Sequence, residues 1–347
     1  VKVSDSGIVD NAGTGIVTSG YLGADVDIAN SVISGNSGAA VVSGGTRASG
    51  DISVTDSQIQ NNGNGIFSLY SGEVTIENST VSGHQGNGVG AYAVDINQST
   101  IADNQGVGIS STSALITEST ISNNNAGGIL SRGTTSRFGD IVTASLIMRN
   151  STVSGNGNAD SEIGGIFNSL SPVSEGGYEN AIDLTNVTIT ENVGAIAGGI
   201  VNEQITLYDT NSATLKNTIV AGNSGPSPDV SGEFNRLGYN LIGESTGASG
   251  FDATGDLAGT AAAPISPLLD GLRDNGGPTL THTLLPGSPA IDAGAPQTGG
   301  LDQRGIARAL DGDGDGQAMA DIGAVEIYAI TPLPVPPSPI ATIIGTD

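Results

Sequence analysis

The sequence predicts an all-β protein, a right-handed parallel β-helix with three strands in each coil and about nine repeats. The first observation is a seven-residue pattern, such as NSTVSGN, that recurs nine times at spacings of 20 to 36 residues, the range of solenoid repeats. The second is an aliphatic residue at a fixed position of the pattern, and the third is the abundance of glycine, 54 of 347 residues. The nine copies begin at Asp5, Asn30, Asp56, Asn78, Gln98, Glu118, Asn150, Asn186 and Asn217.

The strands of each coil follow from the alternation of side chains around this pattern. Residues before it alternate apolar and polar, as in Val74-Thr75-Ile76-Glu77, which is typical of a strand with one buried face. A glycine followed by an aliphatic residue, as in Gly88-Val89, predicts a further strand after the pattern. The aliphatic fourth positions, expected to stack inward as one ladder, are Ile8, Ile33, Ile59, Val81, Ile101, Ile121, Val153, Ile189 and Val220.

A parallel stack is favoured over the competing helical solenoid. β-branched residues at two-residue spacing, with glycine at the corners, fit strands better than helices. A coil of 20 residues cannot close three strands as antiparallel hairpins in matching register. Equivalent strands are therefore expected to stack in parallel, about 4.8 Å apart.

The last position of the pattern is asparagine in every copy but one, where it is His84. Asparagine tolerates left-handed backbone at a corner, and stacked amides can hydrogen-bond along a ladder. We expect both roles here, and we interpret His84 as a substitute turn residue in preference to a catalytic or metal-binding one. The asparagines are Asn11, Asn36, Asn62, Asn104, Asn124, Asn156, Asn192 and Asn223.

Composition limits the classes of partner. Thirty-five acidic residues against ten basic ones give a formal charge of −25, which repels nucleic-acid phosphates and anionic membranes. No stretch of the sequence has the roughly 20 apolar residues of a membrane span. The absence of cysteine excludes disulfides and thiolate metal sites. Solubility and divalent cations are the remaining explanations of the acidic excess.

The repeat stops after Asn223, and the chain is expected to divide into three parts. Residues 1–224 are predicted to form the β-helix, residues 225–330 an irregular β cap at its C-terminal end, and residues 331–347 a proline-rich tail. The tail ends in a short apolar run that favours a strand. Such a strand could pair with a neighbouring subunit to give a head-to-tail fibre, and a linker to an anchor is the alternative.

The segment from Gly238 to Glu326 resembles the choice-of-anchor Q domain of bacterial surface proteins. The matching text is GYNLIG from Gly238, DNGGPTLTHTLLPGSPAIDAG from Asp274, DQRG from Asp302 and DIGAVE from Asp321. GGIFN from Gly164 and GGIVN from Gly198 resemble polymorphic outer membrane protein repeats. The resemblance implies an exported bacterial protein held at the cell surface, with an upstream β-helix and no catalytic residues to carry over.

One constellation favours a calcium ion. Aspartates alternate with glycines in DGDGDG from Asp311, as in the first half of a calcium loop. Position twelve of such a loop is Ile322 here, so Asp321 or Glu326 would have to complete the coordination shell. A solvated acidic turn is the alternative. The predicted ligands are Asp311, Asp313, Asp315, Asp321 and Glu326.

The preferred function is an extracellular structural or adhesive surface protein without enzymatic activity. The alternative is a β-helix that binds or degrades polysaccharide, as a lyase or a glycosidase would. The ten basic residues are scattered and predict no basic groove. Glycosidases need converging carboxylates, and Glu77, Asp95 and Glu118 are as well explained by a polar outer face.

The remaining candidates have structural interpretations. His282 and Arg304 belong to the domain-like text and have no triad partner visible in the sequence, so we expect them to be structural. Longer coils carry insertions that could form a recognition surface, or could be variable decoration. The insertions lie near 132–140, 159–163, 171–180 and 201–212.

Overall fold

The structure is a computed structural model of the 347-residue chain. It describes residues 1–328 apart from 22, 46–48, 136–140, 143, 171–179, 203–210 and 297–298. The predicted tail at 331–347, and with it the predicted exchange of a terminal strand, lies outside the described residues. Most residues of the predicted insertions at 132–140, 171–180 and 201–212 also lie outside the described residues.

The strands form three parallel sheets that run the length of the coil stack. Sheet 1 precedes the seven-residue pattern and contains β1 (Lys2–Ser4), β4 (Val26–Ala29), β7 (Ile52–Thr55), β10 (Glu73–Glu77), β22 (Ser212–Lys216) and β25 (Asn235–Arg236). Sheet 2 lies within the pattern and contains β2 (Gly7–Val9), β5 (Val32–Ser34), β8 (Gln58–Gln60), β11 (Thr80–Ser82), β13 (Thr100–Ala102), β15 (Thr120–Ser122), β23 (Ile219–Val220), β26 (Leu241–Ile242) and β28 (Leu257–Ala258).

Sheet 3 follows the pattern. It contains β3 (Ile16–Thr18), β6 (Ala39–Ser43), β9 (Asn64–Ser68), β16 (Ile129–Thr135), β19 (Ile166–Leu170), β21 (Ile200–Asn202), β24 (Val230–Glu233) and β27 (Ala248–Ser249). Long strands join two sheets: β12 (Val89–Asn97) and β14 (Ile109–Thr117) run from sheet 3 into sheet 1, and β18 (Ser145–Ser154) and β20 (Ala181–Thr190) from sheet 1 into sheet 2. The short β17 (Ile141–Val142) pairs antiparallel with β16.

The pairing register confirms the all-β parallel β-helix. Val81 pairs with Ile59 of the coil before it and with Ile101 of the coil after it, so equivalent pattern positions lie above one another. Eight of the nine fourth-position aliphatics are fully buried, and Ile8, in the first coil, is partly buried. The core is a thin aliphatic column because each coil contributes few inward side chains and the next coil buries them.

The asparagine ladder exists, but the prediction of left-handed backbone at its residues was wrong. Asn36 Nδ2 donates to Asn62 Oδ1 at 2.8 Å, and the same link joins Asn124 to Asn156 at 2.9 Å. Two positions of the pattern are left-handed in all nine copies: the first, where φ lies between 46° and 57°, and the sixth, where φ lies between 55° and 76° and the residue is an acid, an asparagine or a glycine. The sharp bend from sheet 1 to sheet 2 therefore falls at the first position, and the last position faces the interior, where its amide can replace backbone partners.

The coil continues beyond the predicted boundary at residue 224. β24 pairs with β21, β26 with β23 and β28 with β26, all in parallel. Parallel pairing therefore reaches Ala258, inside the segment that was predicted as the cap.

The described residues between 260 and 327, which we call the flank segment, contact the outer side of sheet 2. Thr120 Oγ1 donates to the carbonyl of Leu280 at 2.6 Å, and the amide of Ala324 donates to Thr188 Oγ1 at 3.0 Å. Leu284 and Ile322 of this segment share an apolar cluster with Leu241. The segment has little regular structure and is attached by individual contacts at many coils.

The described residues contain no helix with the length and apolarity that a membrane crossing requires.

Candidate functional site

The flank segment brings together some of the predicted calcium ligands. Carboxylate oxygens of Asp311 and Asp313 lie within 4.8 Å of one another and of an oxygen of Asp292. Sequence reasoning missed Asp292 because it precedes the aspartate run by 19 residues. Carboxylate oxygens are ligands that calcium prefers, so these three residues could hold the ion. Asp311 and Asp313 belong to the predicted set, and Asp292 is an addition.

The other predicted ligands serve the local backbone. Asp321 accepts hydrogen bonds from the amides of Asp292 and Ile327 at 2.8 and 2.7 Å, and Glu326 accepts from those of Leu310 and Asp321, both at 2.9 Å. Both carboxyl groups are fully buried. Burial, together with the neighbouring Glu326, raises the pKa of Asp321 to about 7. These side chains fix the loops of the flank segment.

Asp315 likewise binds its own turn, because its two carboxylate oxygens accept from the backbone amide and the side chain of Gln317 at 2.7 and 3.0 Å. The calcium site stays a prediction.

His282 and Arg304, for which the sequence showed no triad partner, each have a side-chain partner. Arg304 binds Asp302 through Nε at 3.0 Å and through a terminal nitrogen at 2.8 Å. His282 Nδ1 lies 2.6 Å from the carbonyl of Asp270 and Nε2 lies 2.8 Å from Ser154 Oγ. The carbonyl requires a proton on Nδ1, so the Ser154 hydroxyl donates to Nε2.

A serine that donates to a histidine is the arrangement of a nucleophile and its base. Here both residues are only 1% exposed, so no substrate can reach the hydroxyl. Burial also lowers the pKa of His282. The pair joins the flank segment to β18, and sequence reasoning missed it because the two residues are 128 positions apart.

His84 occupies its place in the asparagine ladder. The amide of Asn62 donates to His84 Nδ1 at 3.1 Å, and the amide of His84 donates to Asn104 Oδ1 at 3.1 Å. The ring is fully buried, which lowers its pKa to about 4. A neutral, enclosed imidazole that accepts a backbone hydrogen bond serves the ladder as a structural residue.

The candidate glycosidase carboxylates do not converge. Asp95 faces outward from sheet 1 in register with Thr75 and Leu115, whereas Glu77 stands two positions further along, in register with Asn97. Glu118 lies at the corner and accepts a hydrogen bond from Gln98 Nε2 at 2.7 Å. No pair of these three residues faces across a cleft.

A groove of about 380 Å³ on the outer face of sheet 3 is the best candidate for ligand binding. Its described lining, which we call the aromatic groove, includes three of the twelve aromatic side chains of the chain. The sequence analysis did not identify this groove. The chain has few aromatic residues, so the three that lie close together between 67 and 92 were a signal that could have indicated it. The residues that shape it are Phe67, Leu69, Tyr70, Tyr92, Thr112 and Arg132.

Local backbone geometry builds the aromatic groove. Phe67 pairs with Gly90 of the next coil, and a methyl group on Gly90 would come within 2.6 Å of the Phe67 ring. The ring can lie against the sheet only because this residue is glycine. Tyr70 is 58% exposed and has a left-handed φ of 72°, a costly conformation for a bulky residue that is often found at functional sites.

Comparison with known proteins agrees with the fold. Residues 1–171 match a family model described as the right handed beta helix region. A similar solved structure is described as "Crystal structure of pectate lyase Pel9A", with 15% sequence identity, a TM-score of 0.45, and coverage of 93% of this chain and 88% of that chain. No curated protein matches the sequence. The chain is a right-handed parallel β-helix; the resemblance to the choice-of-anchor Q domain stays a prediction.

The prediction that this chain is not an enzyme was wrong, since a solved structure similar to it over most of its length is named as a lyase. A likeness at 15% identity shows the fold and assigns no activity.

Proposed function

We propose that this chain is an extracellular surface protein that binds polysaccharide through the aromatic groove. The observation that carries the proposal is the concentration of exposed aromatic side chains beside Arg132 in one concave surface. Binding of a surface polysaccharide is also the chemistry that an adhesive role would use. The expected location outside the cell belongs to this proposal and rests on the acidic, cysteine-free composition and on the domain resemblance.

The chemistry of the aromatic groove supports a sugar ligand. A pyranose ring has an apolar face of C–H groups and a rim of hydroxyls, so it can stack on an aromatic ring and hydrogen-bond at its edge. Tyr92 and Tyr70 offer exposed rings, and Asn87 offers a half-buried amide in the same lining. Apolar walls with a few polar groups are the usual composition of small-molecule sites.

A glycan array with the full chain tests the proposal. Wild type is expected to bind at least one class of polysaccharide, and the double variant Tyr70→Ala/Tyr92→Ala is expected to lose that binding. Tyr328→Ala is the matched control, because Tyr328 is similarly exposed, at 62%, but belongs to the end of the described chain and not to the groove. Loss of binding in the control as well, or no binding by wild type, would remove the proposal. An assay for released sugar on every polymer that binds measures whether it is also cut.

A further inference from the structure

The aromatic groove has a direction and a length. Phe67 pairs with Gly90, Gly90 with Ser110, and Ser110 with Leu130. Two residues further along the chain from each of these, at alternate and therefore outward positions, stand Leu69, Tyr92, Thr112 and Arg132, all of which line the groove. They therefore form one column along the coil axis, with one residue in each of four successive coils.

This column matches an extended polymer. Three steps between neighbouring strands give the column a length of about 14 Å. A six-membered sugar ring that is linked equatorially at both ends advances its chain by about the same distance as one coil. Each coil can therefore meet one sugar. A straight polysaccharide lying along the axis would contact the exposed Leu69, Tyr92 and Arg132 and pass over Thr112, which is buried.

Charge selects the class of polymer. The described residues that line the aromatic groove include one arginine and neither lysine, aspartate nor glutamate. One guanidinium supplies a fan of N–H donors that suits sugar hydroxyls, but it cannot neutralise a carboxylate on every ring. The net charge of −25 adds a repulsive field for any polyanion.

We infer that the aromatic groove binds an internal stretch of an uncharged, extended polysaccharide, with three or four sugars in contact, and that Tyr92 is the principal stacking residue. This inference rests on the proposed function and specifies its ligand. Tyr92 lies in the middle of the column and is 38% exposed, so one ring face is open. Arg132, at the end of the column, supplies hydrogen bonds to hydroxyls of the last ring.

Affinity electrophoresis and calorimetry with the full chain test charge and length. Native gels that contain a soluble, uncharged β-linked glucan or mannan are expected to retard the protein, and gels that contain polygalacturonate or alginate are not, at low or high salt. In titrations with oligosaccharides of two to six uncharged sugars, affinity is expected to rise at least tenfold from two to four sugars and then to level off.

Single variants test the residues. Tyr92→Ala is expected to weaken binding at least tenfold, Arg132→Ala several-fold, and Tyr328→Ala not at all. Gly90→Ala is also expected to weaken polysaccharide binding, because the added methyl group displaces the Phe67 ring. Unchanged melting curves establish that each variant is folded.

The outcomes separate the inference from the proposed function. Tight binding of a polyuronate that salt weakens would overturn the uncharged ligand while upholding polysaccharide binding. Affinity that already levels off at one or two sugars would overturn the extended contact, and unchanged binding by Tyr92→Ala would overturn its role. Failure of every polysaccharide to bind would overturn the proposed function itself.

Discussion

Replacing His84 by asparagine should stabilise the β-helix, because His84 interrupts a ladder of side-chain hydrogen bonds. In the neighbouring links, Asn36 Nδ2 donates to Asn62 Oδ1 at 2.8 Å and Asn104 Nδ2 to Asn124 Oδ1 at 2.7 Å. At His84 only the backbone amides continue the ladder, and no side-chain link to Asn62 or Asn104 runs through the ring. The change His84→Asn would restore an amide at this position.

The magnitude has two parts. Two restored amide links, one to Asn62 and one to Asn104, contribute about 1 kcal/mol each, so the variant should gain about 2 kcal/mol at pH 7. The second part depends on pH. The pKa of His84 falls from 6.5 to about 4 on folding, so the unfolded chain binds the proton more tightly. Wild type should therefore lose about 3 kcal/mol as the pH falls from 6.5 to 4, and the variant should lack this loss.

Denaturant unfolding followed by circular dichroism at pH 7 and at pH 4 measures both parts. The difference between wild type and variant isolates His84, because His282, whose pKa is also lowered by burial, is present in both proteins. Asn124→His is the reciprocal variant and should introduce an equal loss of stability and a new dependence on pH. A His84→Asn protein that is no more stable than wild type at pH 7 and equally sensitive to acid would refute this explanation of the ladder.

Three further predictions concern the ladder, the flank segment and calcium. Asn124→Ala should lower the free energy of unfolding by about 2 to 4 kcal/mol, because it leaves buried ladder groups unpaired; a cost below that of the exposed control Gln317→Ala would contradict this. Gln303→Ala should expose the flank segment to limited proteolysis, since the Gln303 amide accepts from Thr152 Oγ1 at 2.7 Å and donates to Thr120 Oγ1 at 3.0 Å; a wild-type cleavage rate would be evidence against this anchoring role. Calorimetric titration with calcium after chelation should release or absorb heat that Asp311→Asn abolishes, and no heat at millimolar calcium would remove the metal site.

Much of the repeating part of the fold could be predicted because one coil constrains the next. The fourth-position aliphatics, such as Ile101, are buried at the positions that the repeat assigned to them, and their register is the register of the pattern. A shift by one residue would turn every inward side chain outward. The same repetition explains why the asparagine ladder was predictable as a ladder.

The corner geometry was predicted less well, for a local reason. Residues at both the first and the last pattern position are polar, and either could have occupied the left-handed region. The structure places left-handed backbone at the first and sixth positions, such as Asn78 and Gly83. The last position is enclosed, and there the amide is needed to satisfy neighbouring backbone groups.

The sequence by itself determined the coil, its register and its inward faces, because these depend on side-chain alternation between neighbouring repeats. Only the tertiary structure decided which distant residues share a site: Ser154 meets His282, Asp292 lies near Asp311, and Tyr92 and Arg132 line the same aromatic groove. The first two pairs depend on how a non-repeating segment folds and docks on the side of sheet 2. The groove depends on which outward positions of successive coils carry large side chains, and burial of the core places no constraint on that choice.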